Sequence, residues 1–117
     1  MPEPDRRRAG RLGEDLAARF LELEGYAVLE RNARHADVEV DIVARRDRLL
    51  VLVEVKLRYR GLAPATEALR FAQRRRLERA VQALLEKNPW ADEVRLDVLG
   101  VDWRDGELRL QHVRGAR

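Results

Sequence analysis

The sequence predicts an α/β fold: a central mixed β-sheet flanked by helices, with elements in the order α-β-β-β-α-β-β. Three observations carry that reading. Apolar residues hold the 3.6-residue helical period in two separate stretches, one near the start and one in the middle of the chain. Between and after them stand segments rich in β-branched residues, divided by short polar turns. A single helix separates the third strand from the fourth, which suits a crossover between parallel strands in an otherwise antiparallel sheet. The length of 117 residues suits one domain over 1–117, with ends at about 1–8 and 114–117 expected to be mobile.

In the first helix Leu12, Leu16, Phe20 and Leu23 recur at helical spacing, with Ala17 and Leu21 beside them and Gly25 as the stop. Tyr26 to Asn32 reads as a short strand. Val38 to Ala44 and Leu49 to Leu57 are stronger strands, joined by Arg45-Arg46-Asp47-Arg48 and expected to form an antiparallel hairpin. Arg58 to Ala65, with Gly61 and Pro64, reads as a loop. Thr66 can cap the second helix, whose Leu69, Leu77, Ala80, Val81, Leu84 and Leu85 keep the period until Asn88-Pro89. Arg95 to Trp103 and Glu107 to Val113 are the last strands, joined at Asp105-Gly106.

Composition narrows the chemistry. The longest apolar run, Leu49 to Val53, is far short of the roughly 20 residues of a membrane-spanning helix, so no membrane crossing is expected. Charged Met1 to Arg8 is followed by no apolar segment, which argues against a secretory signal and for the cytoplasm. With no cysteine and only His35 and His112, thiolate chemistry and a structural zinc site are set aside. A metal here would be held by carboxylates, as magnesium and manganese are. Of the 24 basic residues only Lys56 and Lys87 are lysines, and arginine favours bidentate phosphate contact.

Strand alternation sorts the hairpin into two faces. Val38, Val40, Ile42 and Ala44 share one, and Glu39 and Asp41 share the other with Val43. In the next strand Glu54 and Lys56 lie with Leu50 and Leu52. A turn centred between Asp47 and Arg48 sets Asp41 opposite Glu54 and Glu39 opposite Lys56, with cross-strand Cβ atoms about 4.5–5.5 Å apart. Like charges placed so are destabilising unless compensated, and a divalent cation is the natural compensation. Ordinary pairing on a solvated face, Glu39 with Lys56 and Asp41 with an arginine, is the competing account. Glu14 lies at the edge of the first helix's apolar stripe, where it can reach the sheet or simply favour the helix dipole.

Glu39-Val40-Asp41-Ile42-Val43-Ala44, a short turn, and Val51-Leu52-Val53-Glu54-Val55-Lys56-Leu57-Arg58 resemble the Asp…Glu-x-Lys core of the PD-(D/E)XK nuclease superfamily. Most of the chain more closely resembles the small bacterial YraN-like proteins, which are similar to archaeal Holliday-junction resolvases. Gly10 to Ala17 matches that family's opening helix, Gly25 to Asn32 its first strand and Arg95 to Val98 a later one. Val38 stands where the family usually has glycine, and Leu57 where it often has threonine. The resemblance implies a restriction-endonuclease-like core, with Asp41, Glu54 and the Val55 carbonyl binding Mg2+ or Mn2+ and Lys56 orienting or deprotonating the attacking water. It also implies Glu14 at the metal site, with Glu39 as a neighbour of the site.

Gln73 interrupts the row Leu69, Leu77, Val81, so it points toward the sheet and either touches the site or bonds to water. Arg58 and Arg60, just beyond the Glu-x-Lys strand, are the best-placed phosphate contacts, followed by Arg70, Arg74, Arg75, Arg76 and Arg79 of the second helix, which otherwise form a solvated face, and then by Arg31 and Arg34. Trp90 and Trp103 are expected in the core, and His35 and His112 as exposed loop residues. Two functions follow. One is a metal-dependent endonuclease acting on DNA, including branched DNA, for which a homodimer would be suited. The other is a non-catalytic nucleic-acid-binding or assembly module that keeps the fold.

Overall fold

The computed structural model describes residues 6–59 and 71–115. Helix α1 spans Arg6–Leu23, followed by β1 (Ala27–His35), β2 (Val38–Arg46) and β3 (Leu49–Tyr59). Helix α2 (Phe71–Lys87), β4 (Glu93–Arg104) and β5 (Glu107–Val113) complete the order α-β-β-β-α-β-β. The strands form one sheet in chain order. The pairs β1–β2, β2–β3 and β4–β5 are antiparallel, while β3 and β4, separated by α2, are parallel. The fold is therefore the mixed, helix-flanked α/β sheet expected from the sequence, compatible with a restriction-endonuclease-like core. Of the expected loop Arg58 to Ala65, Arg58 belongs with Tyr59 to β3 instead, which pairs with β4 as far as Tyr59↔Trp103; residues 60–65, Thr66 and Leu69 lie outside the described residues.

Leu50 and Leu52 of β3 pack with Leu77, Ala80 and Leu84 of α2, whereas Val51 and Val53 pack with Ala17, Ala18 and Leu21 of α1. Because side chains alternate along a strand, the helices cover opposite faces of the sheet. The buried line of α1 runs through Gly13, Ala17 and Leu21; Leu12, Leu16 and Phe20 flank it and Leu23 is exposed. Small residues at the contact bring the helix close. A Cβ on Gly13 would stand 3.5 Å from Leu57 Cδ1 and 3.9 Å from Val101 Cβ. Gly25 ends the helix at φ 93°, with Tyr26 N–H donating to the Leu21 carbonyl at 2.9 Å and Gly25 N–H to that of Glu22 at 3.1 Å, a Schellman cap.

Strand β1 runs three residues beyond the expected end, because Asn32 takes a left-handed φ of 51° inside it and hides the alternation. A two-residue turn, Ala36-Asp37, then joins His35 to its partner Val38. His35 is buried at that strand end rather than exposed in a loop, with Nε2 3.1 Å from Glu30 Oε1 and Nδ1 3.1 Å from Lys87 Nζ. The Asp105-Gly106 turn forms as expected, with φ of 51° and 77°.

His112 is also no exposed loop residue. It lies in β5 between Phe20 and Tyr26, its Nε2 2.7 Å from Asp97 Oδ2. Buried Asp97 further accepts from Arg95 Nε at 2.7 Å, Arg95 Nη2 at 2.8 Å and Gly115 N–H at 3.0 Å. Burial raises the pKa of this carboxyl, but the hydrogen bonds from His112, Arg95 and Gly115 outweigh it and leave the pKa at about 2. The cluster fastens β5 to β4. Trp103 is buried, and Trp90 is half-buried with the Arg45 guanidinium 3.8 Å above its ring.

Candidate functional site

Hairpin β2–β3 has the expected register from Arg46↔Leu49 to Ile42↔Val53, and its ladder ends there. The β1–β2 ladder likewise passes from Arg31↔Ile42 to Ala33↔Val40 and skips Asn32 and Asp41. Asp41 thus sits where β2 leaves its ladder with β3 and skips one pair of its ladder with β1. Its carboxylate takes over one lost backbone bond, Oδ2 accepting from Val55 N–H at 2.8 Å. The alternation of β2 breaks at the same point. Val38 and Val40, expected on one face with Ile42 and Ala44, pack instead with Val43 against α2.

Continued one step, the register sets Asp41 opposite Glu54. Both side chains line a cleft of about 410 Å³ walled by Arg34 and Glu39 on the sheet side and by Arg76 and Leu77 of α2. Asp41 is pushed from an ordinary 3.8 up to about 7. Burial is the largest cause and the Glu54 charge the second; the Val55 N–H bond opposes them, and Glu14 and Glu39 add smaller repulsions. Lys56 Nζ lies 3.5 Å from Glu54 Oε1, two residues along the same strand. The pairing of Lys56 with Glu39 that the competing account required does not form: the ladder stops before those residues and Lys56 meets Glu54 instead. Glu39 itself is exposed.

Glu14 is half-buried on α1, and its Oε1 accepts from Asn32 Nδ2 at 3.0 Å. The neighbouring Arg31, read from sequence as a phosphate contact, donates from Nη2 to Asp15 Oδ1 at 2.7 Å. Arg34 lines the cleft, and Arg75 is exposed on α2. Arg60 and Arg70 lie outside the described residues, as do the side chains of Arg58, Gln73 and Arg74. Sequence reasoning grouped Arg76 with the other arginines of α2 without singling it out, although it stands one turn before Ala80 of the buried row, and it passed over Asn32, whose left-handed backbone no apolar pattern announces.

A carboxylate pair that burial and mutual repulsion penalise fits a hard cation. The donors are all oxygens, and Mg2+ is held by one or two carboxylates while it keeps several waters. Among the described residues no three acidic or histidine side chains enclose an ion-sized space, so the protein's share of the coordination would be partial. Among the described residues, too, no helix is long and apolar enough to cross a membrane.

The chain matches the model of a protein family described as "Uncharacterised protein family UPF0102" over residues 13–101. It is similar to proteins named "UPF0102 protein" from several bacteria. That of Beutenbergia cavernae is 44% identical over 111 residues, covering 91% of this chain and 92% of the relative. That of Syntrophotalea carbinolica is 42% identical over 110 residues, covering 92% and 89%. A more distant one, from Flavobacterium psychrophilum, is 32% identical over 108 residues, covering 92% and 91%. The match runs from within α1 through most of β4 and includes Glu14, Asp41, Glu54 and Lys56. The chain belongs to the UPF0102 family, the family of the YraN-like proteins.

Proposed function

We propose that this protein is a metal-dependent endonuclease that hydrolyses DNA phosphodiester bonds, including those of branched or otherwise structured DNA, in the cytoplasm. The observation that carries the reading is Asp41. Its carboxyl is held near neutrality by burial and by Glu54 at the point where the sheet forks, a cost to the fold that an amide accepting the same Val55 N–H would not incur. Asp41, Glu54 and the Val55 carbonyl would hold Mg2+ or Mn2+, with Glu14 reaching in from α1. Val55 supports this by geometry, since the N–H and C=O of a strand residue point to the same side and its N–H meets Asp41. When bound, the ion acidifies a water and neutralises charge at the phosphate.

The remaining steps belong to the side chains. Lys56, held beside Glu54, would orient the attacking water, receive its proton or offset charge building on the phosphate. Arg34 and Arg76 on opposite walls of the cleft would bind the phosphates on either side of the scissile one. Arg58, Arg60, Arg70, Arg74 and Arg75 would extend that contact along the backbone, with Glu39 and Gln73 as site neighbours. A homodimer would present two such sites to a branched substrate. The test is to incubate purified protein with linear, nicked, flap and four-way DNA, with Mg2+, with Mn2+ and with chelator. Cleavage in metal alone is expected. Binding without cleavage of any substrate would leave the non-catalytic module as the better account.

A further inference from the structure

We infer that Asn32 is a positioning residue that fixes the Glu14 carboxylate for metal binding, an inference that rests on the metal reading above. Three features of the structure converge on this side chain. Asn32 is the residue at which the β1–β2 ladder lapses, directly across from the lapse at Asp41. It holds a left-handed φ of 51° inside a strand, a conformation that is costly for most side chains and cheapest for glycine, asparagine and aspartate. That twist brings its amide to Glu14, with Nδ2 donating to Oε1 at 3.0 Å. A carboxylate can only accept, so the amide orientation follows from the chemistry.

Stability does not explain the arrangement. The contact is exposed, where a hydrogen bond exchanges with water at little net gain, while the backbone conformation is unfavourable. What the contact does accomplish is to tie α1 to β1 beside the site. The adjacent Arg31–Asp15 pair at 2.7 Å ties the same two elements one residue away. Arg31 and Asp15 thus link the two elements beside the contact, and Asn32 holds Glu14 itself. Asn32 stands across from Asp41 in the β1–β2 pairing, so the carboxylate that its amide holds is kept at the strand position beside Asp41.

The experiment measures Mn2+ affinity by calorimetry for the wild type, Asn32→Gly, Asn32→Ala, Glu14→Ala and the double variant Asn32→Gly/Glu14→Ala. Glycine accepts the left-handed backbone and alanine resists it, so the two changes act oppositely on the fold yet both remove the amide. Both are expected to weaken Mn2+ binding about 10- to 100-fold, as loss of a residue that orients a ligand does. In the Glu14→Ala background Asn32→Gly should cost less than about twofold, because the residue acts through Glu14. Wild-type affinity in Asn32→Gly, or an undiminished loss in the double variant, overturns the inference while leaving the metal site standing. A wild type that binds no Mn2+ overturns the metal reading and this inference with it.

Discussion

Replacing Asp41 by asparagine should make the metal-free protein more stable at alkaline pH. Asparagine keeps an oxygen to accept the Val55 N–H, now at 2.8 Å from Oδ2, and discards the charge that burial and Glu54 oppose. The sign follows from linkage. A carboxyl at 3.8 unfolded and about 7 folded keeps its proton longer in the native state, so its contribution is fully present below pH 3.8. That contribution is lost as pH rises through the window up to about 7 and stays lost above it. A difference of about 3 units corresponds to a ceiling of roughly 4 kcal/mol. Asp41 is only partly buried, and screening by water should reduce this to about 2 kcal/mol. With a urea m-value of about 1.3 kcal/mol/M, the midpoint of Asp41→Asn should lie roughly 1.5 M above wild type at pH 8. The gap should close toward pH 4, where the native wild-type group is protonated. Urea titrations followed by circular dichroism in chelator at both pH values decide it, and adding Mn2+ at pH 8 should raise the wild type alone. A variant less stable than wild type at pH 8, or a gap independent of pH, would refute the reasoning.

The Asp97 cluster has the opposite sign. Its pKa is lowered to about 2, so its contribution is present above 3.8 and is lost as pH falls toward 2; the wild type should lose about 2.5 kcal/mol across that window, and Asp97→Asn should flatten the loss in acid denaturation curves. At pH 7 the same variant should cost about 3 kcal/mol, because Arg95 and His112 lose their partner in a buried setting. If Arg34 and Arg76 bind phosphates, each alanine variant should flatten the log–log salt dependence of DNA affinity by roughly one unit. Filter-binding titrations across a salt series measure it, and an unchanged slope would remove that arginine from the interface.

Much of this architecture was legible because apolar periodicity and β-branched runs report burial directly. The hairpin register could be counted from the turn at Asp47-Arg48, and it placed Asp41 beside Glu54. What the pattern could not report was the lapse at Asn32 and Asp41. Alternation assumes an unbroken strand, so it put Val38 and Val40 on the wrong face and Lys56 opposite Glu39. The seat of α1 was misread for a related reason. Large apolar residues draw the eye, but Gly13 and Ala17 let the helix approach the sheet, and Leu23 is left exposed. Both histidines were misplaced because a single polar residue adds nothing to an apolar pattern, and only the tertiary partners Glu30, Lys87 and Asp97 show that His35 is buried and His112 half-buried.

The central claim is that the residues at the fork of β2 and β3 cleave DNA, and Lys56 tests it most directly. Lys56 stands 3.5 Å from Glu54 and is assigned to the reaction, not to holding the metal. Single-turnover cleavage and DNA affinity should be measured side by side for wild type and Lys56→Ala in Mg2+ and Mn2+. The account predicts a loss of about 10²–10⁴-fold in cleavage rate with near-unchanged affinity. Equal cleavage by the two proteins, which a trace contaminating nuclease would also produce, or no cleavage by the wild type, would contradict it.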